Sequence, residues 1–147
     1  ALEVVGDRAT FLVLREVSCG VRRFDDMRVR TGMSRQVLSD RLVRLVEDDL
    51  LRRHPYQEPG QRVREEYRLT EKGFALFPVL VSLLEWGNRY VADPEGPALD
   101  VVHRDCGQPV HAMLGCESGH VLDNPRELLM RPGRGARRLR VADAART

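Results

Sequence analysis

Several things are scarce or missing in this sequence of 147 residues, and each absence narrows the field. Long apolar runs are missing: the best, Phe74 to Leu84, stops at Glu85, short of the roughly 20 residues a membrane helix needs. Ala1-Leu2-Glu3-Val4 offers no basic segment followed by an apolar one, so secretion is not indicated and the expected setting is cytoplasmic. Cysteine occurs three times. An odd number cannot all pair within one chain, so free thiols or metal ligands come before a disulfide framework. There is no Gly-rich phosphate loop, no Gly-x-Ser-x-Gly elbow and no His-Glu-x-x-His, so no catalytic residue is assigned and an enzyme is not expected. Of 24 basic residues only Lys72 is a lysine, although the formal net charge is a modest +2. The arginine excess reflects either codon bias in a GC-rich genome or use of the guanidinium fork on phosphates and base edges. Composition alone does not choose between them.

Aromatic residues divide the chain. Every Phe, Tyr and Trp lies between Phe11 and Tyr90, so the first ninety or so residues can build an ordinary core and the rest has little to build one with. Asp93-Pro94-Glu95-Gly96-Pro97 marks the junction. Three stretches follow: a main domain over 1–92, a small β-rich extension over 93–132, and a basic tail over 133–147 expected to be disordered.

The main domain reads as mainly α with a small β-hairpin. Phe11, Leu12, Leu14 and Val17 recur at helical spacing between Arg8 and Ser18, and Phe24 to Arg30 reads as a second short helix closed by Thr31-Gly32. Ser34 is a good N-cap for a third, with Val37, Leu38, Leu42, Leu45 and Val46 as its buried stripe. Leu50 to His54 and Arg64 to Leu69 read as paired strands around turn chemistry at Pro55 to Gly60. Thr70 caps a last helix running from Glu71 to about Tyr90, with a kink expected at Pro78. Helix-turn-helix followed by a hairpin is the winged-helix arrangement, used for DNA binding and also for docking on proteins.

Particular residues carry a family resemblance. Leu12-Val13-Leu14-Arg15-Glu16, Arg23-Phe24-Asp25-Asp26, Met33-Ser34 with Leu38 and Arg41-Leu42, Tyr67-Arg68-Leu69-Thr70-Glu71-Lys72-Gly73, Leu76-Phe77-Pro78-Val79-Leu80 and Trp86-Gly87 resemble the HxlR-type bacterial transcription regulators. The match covers about Leu2 to Val91 with the motifs in order. It implies a homodimeric winged-helix DNA-binding protein that represses or activates nearby genes. The family carries a tryptophan where this chain has Ala9. That is either core drift or an opened cavity for a small apolar or aromatic effector near the dimer seam.

With Leu38, Leu42 and Leu45 turned inward, Gln36, Ser39 and Asp40 fall on the opposite face of the third helix, with Arg35 beside them in its first turn. Arg35 suits guanine O6 and N7, and Gln36 suits adenine N6 and N7. Asp40 either accepts from cytosine or restrains Arg44. Arg28 and Arg30, and Arg62 and Arg64 at the hairpin tip, are candidate phosphate contacts that position without reading sequence. The alternative is a winged-helix module that docks on a protein without specific DNA binding. Phe74, Phe77, Leu80, Val81, Leu84 and Trp86 cover more of the last helix than one narrow stripe, and a twofold partner is the simplest cover, matched to a near-palindromic DNA site.

In the extension, His103-x2-Cys106 and Cys116-x3-His120 offer two imidazoles and two thiolates, a set that suits tetrahedral structural zinc. Some members of the resembled family end in a Cys-rich tail, but here Gly119 stands where the last cysteine would be, so His120 would have to substitute. A metal-free hairpin and a Cys106–Cys116 disulfide are the other readings. No other cofactor is expected.

Overall fold

A computed structural model describes residues 1–97 and 99–136 of the chain. Helix α1 (Leu2–Val5) leads into α2 (Arg8–Ser18), whose start is fixed by Asp7. The Asp7 carboxylate accepts from the Thr10 backbone N–H at 3.0 Å and from the Thr10 hydroxyl at 2.8 Å, satisfying an otherwise unpaired donor of the first turn. Helix α3 (Phe24–Thr31) ends at Gly32, whose φ of 67° is the left-handed stop that a side chain resists. Two residues later Ser34 accepts from the Val37 N–H and opens α4 (Arg35–Glu47). This tight sequence of left-handed stop and serine cap sets α3 and α4 as a helix-turn-helix.

Strands β1 (Leu51–Tyr56) and β2 (Arg64–Leu69) pair antiparallel, with Leu51 opposite Leu69 and Tyr56 opposite Arg64. Pro55 and Tyr56, read from the sequence as turn, belong to β1. Proline is tolerated there because β1 is an edge strand whose outer side lacks a ladder partner. Arg23 adds an isolated bridge to Glu66 on the other side of β2.

The core is Val13, Leu14 and Val17 of α2, Met27 of α3, Leu38, Leu42 and Leu45 of α4, and Leu50, Leu51 and Leu69 around the hairpin. Val37, expected in the buried stripe of α4, is exposed, and Val46 is half-buried.

The segment 71–90 is not one kinked helix. It divides into α5 (Glu71–Phe74) and α6 (Phe77–Tyr90), separated by Ala75 and Leu76. Pro78 sits in the first turn of α6, where its missing N–H costs nothing. Leu80 and Val81, assigned to a dimer face, are buried within the chain itself, whereas Phe74, Phe77, Val79, Leu83, Trp86 and Tyr90 stay exposed.

Gly73 lies where α5 crosses the end of the hairpin, and a Cβ there would collide with the Leu50 carbonyl oxygen. That oxygen already accepts from the Thr70 N–H at 3.1 Å. Gly73→Ala should therefore cost about 1–3 kcal/mol through backbone displacement, read as a lower urea midpoint at unchanged slope.

The chain divides into two compact units, Ala1–Ala112 and Met113–Thr147. The first continues past the Asp93–Gly96 turn because residues 99–112 are tied to α6. Asn88 donates to the Leu99 carbonyl at 3.0 Å, and Glu85 accepts from the Ala112 N–H at 3.1 Å and pairs with His111 Nδ1 at 2.7 Å. The second unit carries a short antiparallel hairpin, β3 (Leu114–Gly115) with β4 (Val121–Leu122), and a 3₁₀ turn at Pro125–Glu127. The expected basic tail falls, from residue 137 on, outside the described residues.

Candidate nucleic-acid interface

The first two turns of α4 present Arg35, Gln36 and Ser39 outward, because Leu38, Leu42 and Leu45 are each within 1% of full burial on the opposite side. The Arg35 guanidinium lies 5.3 Å from the Phe24 ring centroid and 3.6 Å from an Asp25 carboxylate oxygen. Both partners belong to α3. An exposed pair at that separation holds the arginine weakly and leaves it free to turn to another acceptor. Gln36 donates to Asp40 at 2.8 Å. Asp40 therefore restrains Gln36 and not Arg44, which is exposed one turn further along. Ser34 is spent on its cap.

Two ionic pins hold α4 and α3 against α2. Arg41 on α4 reaches Asp7 at 2.8 Å, tying α4 to the start of α2. Burial pushes the Asp7 carboxyl up, but hydrogen bonds from Thr10 and the Arg41 charge outweigh it and hold it below its ordinary value. The second pin is Glu16. Its side chain is only 2% exposed, and its oxygens accept from Arg15 Nη2 at 2.6 Å and from Arg30 Nε. Burial again pushes the carboxyl up, and the Arg30 and Arg15 hydrogen bonds reverse the sign and leave it lowered.

Arg30 was a candidate phosphate contact, and its Nε is committed to Glu16 instead. Arg28, on the same helix, is exposed with no ion pair among the described residues. Arg62 and Arg64 at the hairpin tip are exposed as well, near a small network in which Gln57 donates to the Gln61 carbonyl and Gln61 to Glu58. Glu58 also accepts from Arg23 at 2.6 Å, and the Arg23 guanidinium lies 4.5 Å from the Tyr56 ring centroid. Sequence reasoning missed this brace, which stiffens the wing from its outer edge. The Arg23-Phe24 pair was visible, but its partner lies 35 residues away.

Ala9 is half-buried. An apolar cavity of about 240 Å³ is lined by Arg8, Phe11, Leu12, Arg15 and residues of α6, and Ala9 is not on its wall. Each histidine–cysteine pair of the extension closes within its own unit: Cys106 Sγ is 3.3 Å from His103 Nδ1, and Cys116 Sγ is 3.3 Å from His120 Nδ1. Among the described residues no group of three or more His, Cys, Asp or Glu side chains could hold a metal ion. Structural zinc takes four ligands, so neither pair suffices alone. All three cysteines are free thiols.

Comparison with known proteins agrees with this geometry. The family model described as HxlR-like helix-turn-helix matches residues 4–95. An HTH-type transcriptional regulator of Mycobacterium tuberculosis is 42% identical over 135 residues, covering 92% of this chain and 84% of that protein. The crystal structure of PA1607, assigned as a transcription factor, superimposes with a TM-score of 0.76 at 34% identity over 90% of both chains. A transcription factor of Pseudomonas aeruginosa, PA1374, superimposes with a TM-score of 0.63 at 32% identity, covering 92% of this chain and 91% of that one.

Proposed function

The chain belongs to the HxlR-like helix-turn-helix family, a transcriptional regulator with a winged helix-turn-helix DNA-binding domain, and from that premise we propose that it binds a near-palindromic operator as a homodimer under small-molecule control. The observation that carries this reading is the outward face of α4: Arg35, Gln36 and Ser39 stand exposed over its first two turns while the opposite face is locked into the core. Arg35 and Gln36 are the base readers, Ser39 and Asp40 border them, and Arg44 lies toward the backbone. Arg28, Arg62 and Arg64 neutralise phosphates.

The exposed side of α5 and α6, with Phe74, Phe77 and Trp86, supports pairing with a second copy. A twofold axis there sets two α4 helices about 34 Å apart, one turn of DNA. Cavities bordering α2 and the assembly helices support effector control, and the cytoplasm is the proposed setting. Among the described residues no helix is long and apolar enough to cross a membrane.

Fluorescence anisotropy with the chain's own upstream DNA and a scrambled duplex, at several salt concentrations, tests the proposal. Three phosphate-contacting arginines per protomer give about six per dimer, so log affinity should fall with log salt at a slope of about −5. Equal, weak binding to both duplexes would instead favour the protein-docking role that winged helices also serve.

A further inference from the structure

We infer that the chain carries a second site, a recess that takes a small organic oxyanion, a carboxylate or a phosphate monoester with an aromatic or apolar body. The recess has a volume of about 490 Å³ and lies among the end of α2, the base of the β1–β2 hairpin, Phe74 of α5 and the segment that carries Arg104. Four arginines line it: Arg22, Arg52, Arg68 and Arg104. No carboxylate does. Arg68 donates from Nε to Glu66 at 2.6 Å, and among the described residues Arg22, Arg52 and Arg104 have no ion pair.

The strand register makes the charge excess pointed. Arg52 stands directly opposite Arg68, and like charges in that position destabilise a hairpin. A bound anion would offset this repulsion with a forked contact from Arg52, since the guanidinium plane matches carboxylate and phosphate oxygens two at a time, while Arg68, its Nε held by Glu66, adds its charge. A recess walled by one sign of charge also concentrates anions before any contact forms. Phe74, Val17 and Leu69 supply an apolar wall for the rest of the ligand.

The recess is distinct from the proposed DNA contacts. It shares no residue with α4, and Arg52 and Arg68 sit four register steps from the hairpin tip, about 14 Å along the strands. Its walls join the wing base to α5, which leads into the assembly helix. An anion there would bias the wing against the dimer face and so alter operator affinity, with the reciprocal effect of operator on anion. That regulatory part rests on the function proposed above; the binding part does not.

Calorimetric titration of the full chain with phenyl phosphate, benzoate and inorganic phosphate, with neutral benzyl alcohol alongside, tests binding without DNA. Saturable binding of phenyl phosphate or benzoate and none of benzyl alcohol is expected. Arg52→Thr with Arg104→Ala removes two of the four arginines and should weaken that binding at least about tenfold, while Arg126→Ala in the second unit leaves it unchanged. Threonine suits a strand, so the double variant keeps its fold, and a retained melting temperature in anion-free buffer verifies it. Absence of saturable binding by any of the three anions overturns the inference. So does binding that the double variant retains, or a double variant that loses only operator affinity, which would make these arginines DNA contacts. Anion binding without any effect on operator affinity keeps the site and removes its regulatory role.

Discussion

Removing both arginines from around Glu16, by Arg15→Ala with Arg30→Ala, is expected to destabilise the chain by about 3–5 kcal/mol, because it strands a charge in the core. The Glu16 side chain is 2% exposed, so it cannot turn to water when its partners go. The arginines are 28% and 54% exposed, so the reverse change, Glu16→Met, leaves charges that water can reach. A methionine of similar length then fills the space. The asymmetry is the test: the double variant should be the worst of the series, and adding Glu16→Met to it should restore most of the loss.

Acid gives a second signature. In the native chain the Glu16 carboxyl lies below its ordinary 4.5, so its contribution is complete above that pH and is lost as the pH falls through the lowered value. In the double variant burial acts alone and raises the carboxyl. Native protein then binds the proton first, and stability should rise on acidification, opposite in sign to the parent. Urea midpoints at neutral and mildly acid pH separate the two. A double variant that unfolds like the parent at both would mean that Glu16 is hydrated.

This pin also shows where the sequence stops being legible. The cap at Ser34, the stripe of Leu38, Leu42 and Leu45, and the hairpin register all follow from neighbours a few residues apart, where periodicity and capping chemistry act. They place the outward face of α4 without a structure. Glu16 follows Arg15 as one of two adjacent charges in an otherwise apolar stretch of α2, and nothing local marks it as buried. Its burial depends on Arg30, 14 residues on, reaching over from α3. The break at Ala75 and Leu76 was hidden for a related reason: both are good helix formers, and Pro78 fits a kink within one helix as well as the first turn of a new one. The attachment of 99–112 to α6 rests on Glu85, His111 and Asn88, single polar residues with no periodic signal.

The largest functional effect is expected from Arg35, Arg62 and Arg64 replaced together by alanine, and the separate variants show how the loss divides. Arg35→Ala removes a base contact from each half-site, worth about 1–3 kcal/mol apiece. It should collapse the preference for operator over scrambled DNA while leaving the salt slope near −5. Arg62→Ala with Arg64→Ala removes about four of six phosphate contacts per dimer, so affinity for both duplexes should fall alike and the slope should flatten to about −2. The triple variant combines them and should lose operator binding by more than about a thousandfold, as two base contacts and four phosphate contacts add up. None of the three side chains is buried, so the fold should persist, and an unchanged melting temperature confirms that only the interface was removed. If Arg35→Ala flattened the salt slope and kept the preference, Arg35 would be a phosphate contact. Sequence reading would then fall to Gln36 and Ser39, the remaining outward polar side chains at the start of α4.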